Sequence, residues 1–211
     1  MSAPSMLRLA NGKDISLRNP TAADYSDFAW QAEHLAKENR YNGATPGVIY
    51  SVAQHIAIGT GAILEATGDE ELAAYFSLHD NPESALKDDT TPKKNAIAEI
   101  AQEKFGVLGT AVLASFNELT ERHDAAVHEA AGLPWPISAE LQAKIKFWDL
   151  TMFVTEWRDL MGNAPHPDWK KYKGIAPLTK TIVPYERWQE AANHVHVLWI
   201  RLLPTLKARR A

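Results

Sequence analysis

Beyond Pro20 the apolar residues of this 211-residue chain recur three and four apart, and this spacing largely continues to the C-terminus. Such a period belongs to helices with one buried face, so it predicts an all-α fold. The start of the chain is the exception. Leu7, Leu9, Ile15 and Leu17 flank Asn11-Gly12, a dipeptide suited to a tight turn with positive φ, and a small β-hairpin is expected over about 6–18. Thr21 or Asp24 is expected to cap a first helix running to about Asn39. A loop rich in turn formers, Asn42-Gly43-Ala44-Thr45-Pro46-Gly47, separates it from a helix that opens near Ser51 and stops near Gly68. Asp69 begins another, which carries Leu72, Tyr75, Phe76 and Leu78 into His79-Asp80.

Helical segments are expected over about 92–105, 108–131 and 138–161, with Gly106 and Leu133-Pro134-Trp135-Pro136 as joints. Pro165, Pro167, Gly174, Pro177 and Pro184 make 162–184 an irregular excursion, and a last helix is expected from about 185 to 207. No repeat or low-complexity tract argues for a boundary, so one domain over 1–211 is expected, with loop and helix 162–207 at its C-terminal end.

Composition then narrows the chemistry. The chain has no cysteine, which removes disulfides, thiolate zinc sites and cysteine nucleophiles, and fits a reducing, cytoplasmic location. Any metal must use imidazole and carboxylate ligands. A net charge of −4 gives no reason to expect a nucleic-acid polymer or an anionic membrane as partner. No run approaches the roughly 18 consecutive apolar residues of a spanning helix, and Met1 to Lys13 lacks the apolar core of a signal peptide. A small polyanionic substrate fits this charge, because a bound divalent cation reverses the local field.

Three stretches carry the candidate chemistry. His79-Asp80-Asn81-Pro82-Glu83 closes an apolar helical run, where a His, an Asp and a Glu are costly to bury without partners. A divalent cation would satisfy the imidazole and a carboxylate together; the alternative is a core histidine beside a surface carboxylate. His55 lies in a second apolar helix. Asp149 stands within Ile145-Lys146-Phe147-Trp148-Asp149-Leu150-Thr151-Met152-Phe153, which reads as a helix with little face for water. A carboxylate there needs a metal, a hydrogen bond or a cationic side chain.

The order His55, His79-Asp80, Asp149 resembles the HD superfamily of metal-dependent phosphohydrolases. Arg40-Tyr41-Asn42-Gly43, Tyr50-Ser51-Val52-Ala53-Gln54-His55, the stretch from His79 through Asp88 to Pro92, and Glu156-Trp157-Arg158-Asp159-Leu160-Met161 resemble its bacterial and phage 5′-deoxynucleotidase-like branch. The resemblance covers about 7–161. It implies a helical HD domain with one divalent ion (Mn²⁺, Co²⁺, Zn²⁺, Fe²⁺ or Ni²⁺) on His55, His79, Asp80 and Asp149. It also implies hydrolysis of (deoxy)nucleotides, deoxynucleoside 5′-monophosphates first, by activated water. Glu83 is assigned to that water and Asp88 to the leaving oxygen or sugar. Arg40 is assigned to a phosphate clamp and Tyr41 to packing on sugar or base.

Triphosphate release from a deoxynucleoside triphosphate and a non-catalytic nucleotide- or metal-binding module are the alternatives. A cyclic-dinucleotide phosphodiesterase is disfavoured because no Gly-Tyr-Pro motif accompanies the pair. The chain departs from the branch at Ala44, Asn81-Pro82 and Asp89-Thr90, and Pro82 is expected to end or kink its helix.

Other signals are read as structural. His123-Asp124 sits beside Glu118, Glu121 and Arg122 on what reads as a solvated helix, and is taken as a decoy. His194 and His196 cannot share a helical face. The seam Trp188, Ala192, Val195, Trp199, Leu202, Leu206 suits packing on the chain's own core, with a homodimer contact as the alternative. Asp168-Trp169-Lys170-Lys171-Tyr172-Lys173 is read as a solvated loop that offers cations and rings to a nucleotide as the less favoured role.

Overall fold

The structure, a computed structural model, describes residues 5–9, 11–162 and 169–209. Strands β1 (Met6–Arg8) and β2 (Asp14–Ser16) form the expected antiparallel hairpin with Leu7 opposite Ile15, which is buried. Among the described residues the rest of the regular structure is helical. No helix among them is long and apolar enough to cross a membrane.

Local chemistry sets most of the helix ends. Helix α1 (Phe28–Lys37) starts later than the sequence suggests. Thr21 donates through both its backbone N–H and its hydroxyl to Asp24 Oδ2, closing a turn on itself, and Asp27 supplies the cap by accepting from Ala29 N–H. Helix α2 (Val52–Thr67) opens on Ser51, whose hydroxyl accepts from Gln54 N–H, and ends on Gly68 with a φ of 67°. Asp69 caps α3 (Glu70–Phe76).

The expected run through His79 is interrupted. Residues 77–82 are turns, and α4 (Glu83–Leu86) begins only after Pro82, whose ring and missing N–H bar a continuous helix. Helices α5 (Thr91–Phe105) and α6 (Thr110–Ala131) follow, joined by a 3-10 turn over Gly106–Gly109. Ser138 caps α7 (Ala139–Leu160). A short 3-10 segment, Trp169–Tyr172, lies in the irregular stretch, and Asp168 falls outside the described residues. The last expected helix is two: α8 (Trp188–Leu202) and α9 (Pro204–Ala208). Leu203 between them is extended, as the residue before a proline prefers.

The core is built where α1, α2 and α8 pack together. Trp199 is fully buried, its ring 5.5 Å from that of Phe28, and its indole N–H donates to Ser77 O at 3.0 Å. Ala192, Val195, Leu202 and Leu206 of the same seam are also buried, so the seam faces the chain's own core. Trp188 alone stays partly exposed, under the ammonium of Lys37. Helices α2 and α3 approach closely at Gly59, where a Cβ would come within 2.4 Å of Phe76. Phe76 in turn packs against the His55 and His79 rings. A small residue at position 59 therefore sets how near α2 brings His55 to the turn that carries His79.

Candidate metal centre

Three parts of the chain meet here: α2 carries His55, the turn after α3 carries His79 and Asp80, and α7 carries Asp149. His55 is fully buried, and its Nδ1–H donates to Glu156 Oε1 at 2.6 Å. His79 Nδ1–H donates to the carbonyl of Phe76 at 2.7 Å. Both acceptors can only accept, so each imidazole holds a proton on Nδ1 and turns Nε2, the nitrogen that could coordinate a metal, toward the other. These two Nε2 atoms face one another at 3.3 Å.

Two carboxylates close the group. Asp80 Oδ2 lies 3.3 Å from His79 Nε2 and 3.7 Å from His55 Nε2. Asp149 Oδ1 lies 3.7 Å from His55 Nε2 and 3.8 Å from His79 Nε2. Ligands about 2.1 Å from a common ion stand roughly 3.0–3.4 Å apart at neighbouring positions, so a small contraction would bring these atoms into coordination. Four such atoms held this close repel unless a proton or a metal cation stands among them. His55, His79 and Asp80 form a group able to hold a metal ion, and Asp149 borders it on both imidazoles.

The electrostatics agree with a cation site. Burial works against charge on His79, but Asp80 and Asp149 raise its pKa to about 9. Burial likewise opposes charge on Asp149, yet the neighbouring His79 and His55 imidazoles and Lys146 hold its carboxyl far below the ordinary range. Lys146 Nζ donates to Asp149 Oδ2 at 2.7 Å, leaving Oδ1 toward the histidines.

The reading of α7 as shielded from water needs correction. Phe147 is 55% exposed and Lys146 is also exposed, because the N-terminal part of the helix projects into solvent. Asp149 keeps about a fifth of its side-chain surface in contact with water, which leaves an approach to the centre.

Glu156 was not assigned a role from sequence, although it is central to the site. It lies seven residues after Asp149 on α7 and so returns to the same face; that spacing was the available signal. Fully buried, it accepts from His55 Nδ1, from Arg40 Nε at 3.1 Å and from Tyr41 Oη at 2.7 Å. Burial would raise its pKa, but Arg40 and His55 pull it down to about 2. Such a carboxylate orients the imidazole and increases its basicity as a ligand.

Arg40 also donates through Nη1 to Asp80 Oδ2 at 3.2 Å. The structure thus places Arg40 and Tyr41 behind and beside the centre, bonded to its acids. Their loop is pinned at its base by Arg40 N–H to Tyr50 O at 3.0 Å and Val52 N–H to Glu38 O at 2.9 Å. Tyr41 adopts a φ of 56°, a left-handed conformation that costs about 1–2 kcal/mol and is held by these contacts.

Glu83 opens α4 and borders a cavity of about 120 Å³ together with Lys94 and Phe116. Its Oε2 is buried without a hydrogen-bond partner, and burial, then the charges of Asp80 and Asp88, raise its pKa well above the carboxylate range. Burial also raises Asp88, opposed by Arg40 and reinforced by Asp80, so both acids lie within the electrostatic reach of the centre.

Beyond Tyr41, rings continue outward: Phe153 lies 6.4 Å and Trp157 6.3 Å from it, and Tyr172 packs on Phe153 at 4.7 Å. His123 is buried rather than solvated, and both its nitrogens are engaged, by Tyr25 Oη and by Leu17 O at 2.8 Å. His194 bonds Tyr185 Oη.

No family model matches the chain. Over 160 residues it is 32% identical to an uncharacterized protein of Rhodobacter capsulatus, a match spanning 74% of this chain and 72% of that one. The bacterial protein's description carries no activity, but identity at this level over most of both chains marks common descent. The chain belongs to the same family as this Rhodobacter capsulatus protein.

Proposed function

We propose that the protein is an HD-type metal-dependent phosphohydrolase that releases phosphate from nucleotides, with deoxynucleoside 5′-monophosphates as its substrate class. The observation that carries this reading is the convergence of His55 Nε2, His79 Nε2, Asp80 Oδ2 and Asp149 Oδ1, whose contacts span 3.3–3.8 Å. The residues fit a single divalent cation, since imidazole and carboxylate suit Mn²⁺, Co²⁺, Zn²⁺, Fe²⁺ or Ni²⁺ alike. When bound, such a cation supplies Lewis-acid polarisation and a stronger water nucleophile at neutral pH.

The chain's own groups then divide the work. Glu83, with its raised proton affinity, takes the proton of the attacking water as the new P–O bond forms. Asp88, also raised, returns a proton to the sugar oxygen as the old P–O bond breaks, releasing nucleoside and inorganic phosphate. Arg40 uses Nε and Nη1 on Glu156 and Asp80, which leaves Nη2 as its nitrogen for a phosphate oxygen. Tyr41 and the rings beyond it offer an apolar wall for the sugar or base.

The test is phosphate release from a panel of deoxy- and ribonucleoside mono- and triphosphates, with Mn²⁺ or Co²⁺ loaded and metal occupancy measured. Monophosphates should yield inorganic phosphate, and Asp80→Ala and Glu83→Ala should each reduce turnover by about 100-fold or more. Release of intact triphosphate would shift the substrate class. Full metal occupancy with no turnover on any nucleotide would end the enzymatic reading.

A further inference from the structure

Residues 178–185 run without regular structure across α2 and α7, the two helices that bring His55 and Glu156 together. On α7, Thr155, Arg158 and Asp159 stand three and four residues apart on one face, and each bonds the backbone of this segment. Leu178 N–H donates to Thr155 Oγ1 at 2.8 Å, and Ile182 N–H donates to Asp159 Oδ2 at 2.8 Å. Arg158 donates through Nη1 to Leu178 O at 2.6 Å and through Nη2 to Lys180 O at 3.1 Å. Its Nε and Nη2 also donate to the two carboxylate oxygens of Asp159, at 2.6 and 2.8 Å, which fixes the guanidinium in place. Residues 178, 180 and 182 alternate, so one edge of an extended segment is satisfied by helix side chains where a sheet would supply a neighbouring strand.

On α2 the segment is tied at Gln54, whose Oε1 accepts from Tyr185 N–H at 2.9 Å, and at Glu65, which accepts from Lys180 Nζ. Gln54 is buried and directly precedes His55, just as the buried Thr155 directly precedes Glu156. A cleft of about 330 Å³ lies between Ala57, Gly61 and Ala62 of α2 and the segment's Leu178, Ile182 and Tyr185. Over this stretch of α2, therefore, the ties at Gln54 and Glu65 hold the segment rather than close packing.

We propose that this segment is a strap that sets the spacing of α2 and α7 at the metal centre, with Gln54, Arg158 and Asp159 as positioning residues for His55. The inference rests on reading His55 as a metal ligand and not on which substrate the centre serves. The contact of 2.6 Å from His55 Nδ1–H to Glu156 orients the ring, and it bridges the same two helices. A hydrogen bond that short tolerates little sliding of α2 against α7. Ties made next to both partners oppose that sliding. The Lys180–Glu65 pair adds little, because both side chains are largely in water.

The test uses the full chain with ¹⁵N-labelled histidine, first metal-free and then titrated with Mn²⁺. The His55 Nδ1 proton, held by a buried carboxylate, should resonate far downfield and exchange slowly with water. Arg158→Ala and Gln54→Leu, which act from different helices, should each speed that exchange at least about tenfold and weaken Mn²⁺ binding about tenfold by calorimetry. Lys180→Ala should change either measure by less than about twofold. His123→Ala, which lowers stability away from the strap, should leave both unchanged, and this separates positioning from general loosening. Unchanged exchange and Mn²⁺ affinity in both strap variants would overturn the proposal, and so would equal losses in His123→Ala. A wild-type chain that binds no Mn²⁺ yet shows the His55 response would refute the cation site while supporting the strap's hold on the ring.

Discussion

Two His-Asp dipeptides lie in this chain, and the structure treats them in opposite ways. At His123 both ring nitrogens are consumed. Nε2–H donates to Leu17 O at 2.8 Å, so Nδ1 must accept from the hydroxyl of Tyr25. Burial lowers the pKa of this histidine, which keeps the ring neutral. At His79 Nδ1 is engaged by its own backbone neighbour, while Nε2 is turned to a second imidazole and to two carboxylates, which raise the pKa to about 9. Even the neighbouring acids differ: burial pushes Asp124 up to about 7, and Asp149 is held well below normal by the histidines. A dipeptide thus says little by itself. What distinguishes a structural histidine from a candidate ligand is whether a lone pair remains after local hydrogen bonds are made, and what else points at it.

The contrast can be broken most directly at the ligands. His79→Ala or Asp80→Ala should lower affinity for Mn²⁺ or Co²⁺ by more than roughly 100-fold and remove any metal-dependent rise in Tm, read by thermal shift. Wild-type metal binding in either variant would leave the centre without its defining atoms. Glu156→Gln should be milder, about 10–100-fold weaker in metal affinity by calorimetry, because His55 would still bind but would lose its orienting charge.

Proton competition gives a third measure. His79 holds a proton below about pH 9, and a metal must displace it. Apparent affinity should therefore rise about tenfold per pH unit from 6 to 8, with proton uptake by the buffer on binding; a flat profile would contradict the charge state assigned to this histidine.

His123→Ala should move stability and leave metal affinity alone. It strands the Tyr25 hydroxyl and the Leu17 carbonyl, costing about 1–3 kcal/mol in urea unfolding. A loss of metal binding in that variant would erase the distinction between the two dipeptides. The smallest effect is expected from Lys146→Ala, less than about threefold in metal affinity, since the ammonium is largely in water and its pair with Asp149 is screened.

How much was readable depended on how local the cause was. Ser51 and Asp69 cap the helices expected of them because a cap needs only a side-chain oxygen and an N–H two or three residues on. Thr21 misled for the same reason: its nearest acceptor, Asp24, closed a turn before a helix could start. Pro82 and Pro204 interrupt their helices as single-residue chemistry dictates, although the break at Pro204 went unread in a strongly periodic stretch. At the site, residue type and order pointed to His55, His79, Asp80 and Asp149. What the sequence does not show is that Arg40 bonds Asp80, 40 residues away, and Glu156, 116 residues away.

The amino-acid order alone determined a helical chain with an N-terminal hairpin, since periodicity, caps and breakers act within one or two turns. It also pointed to His55, His79 and Asp80, which the fold gathers into a group able to hold a metal ion. Only the tertiary structure decided which ring nitrogens were left over, because His55 donates a hydrogen bond to Glu156 and His123 donates one to the Leu17 carbonyl across about a hundred residues of chain. Hydrogen bonds of that reach depend on how helices pack, and packing is a property of the whole core rather than of any segment.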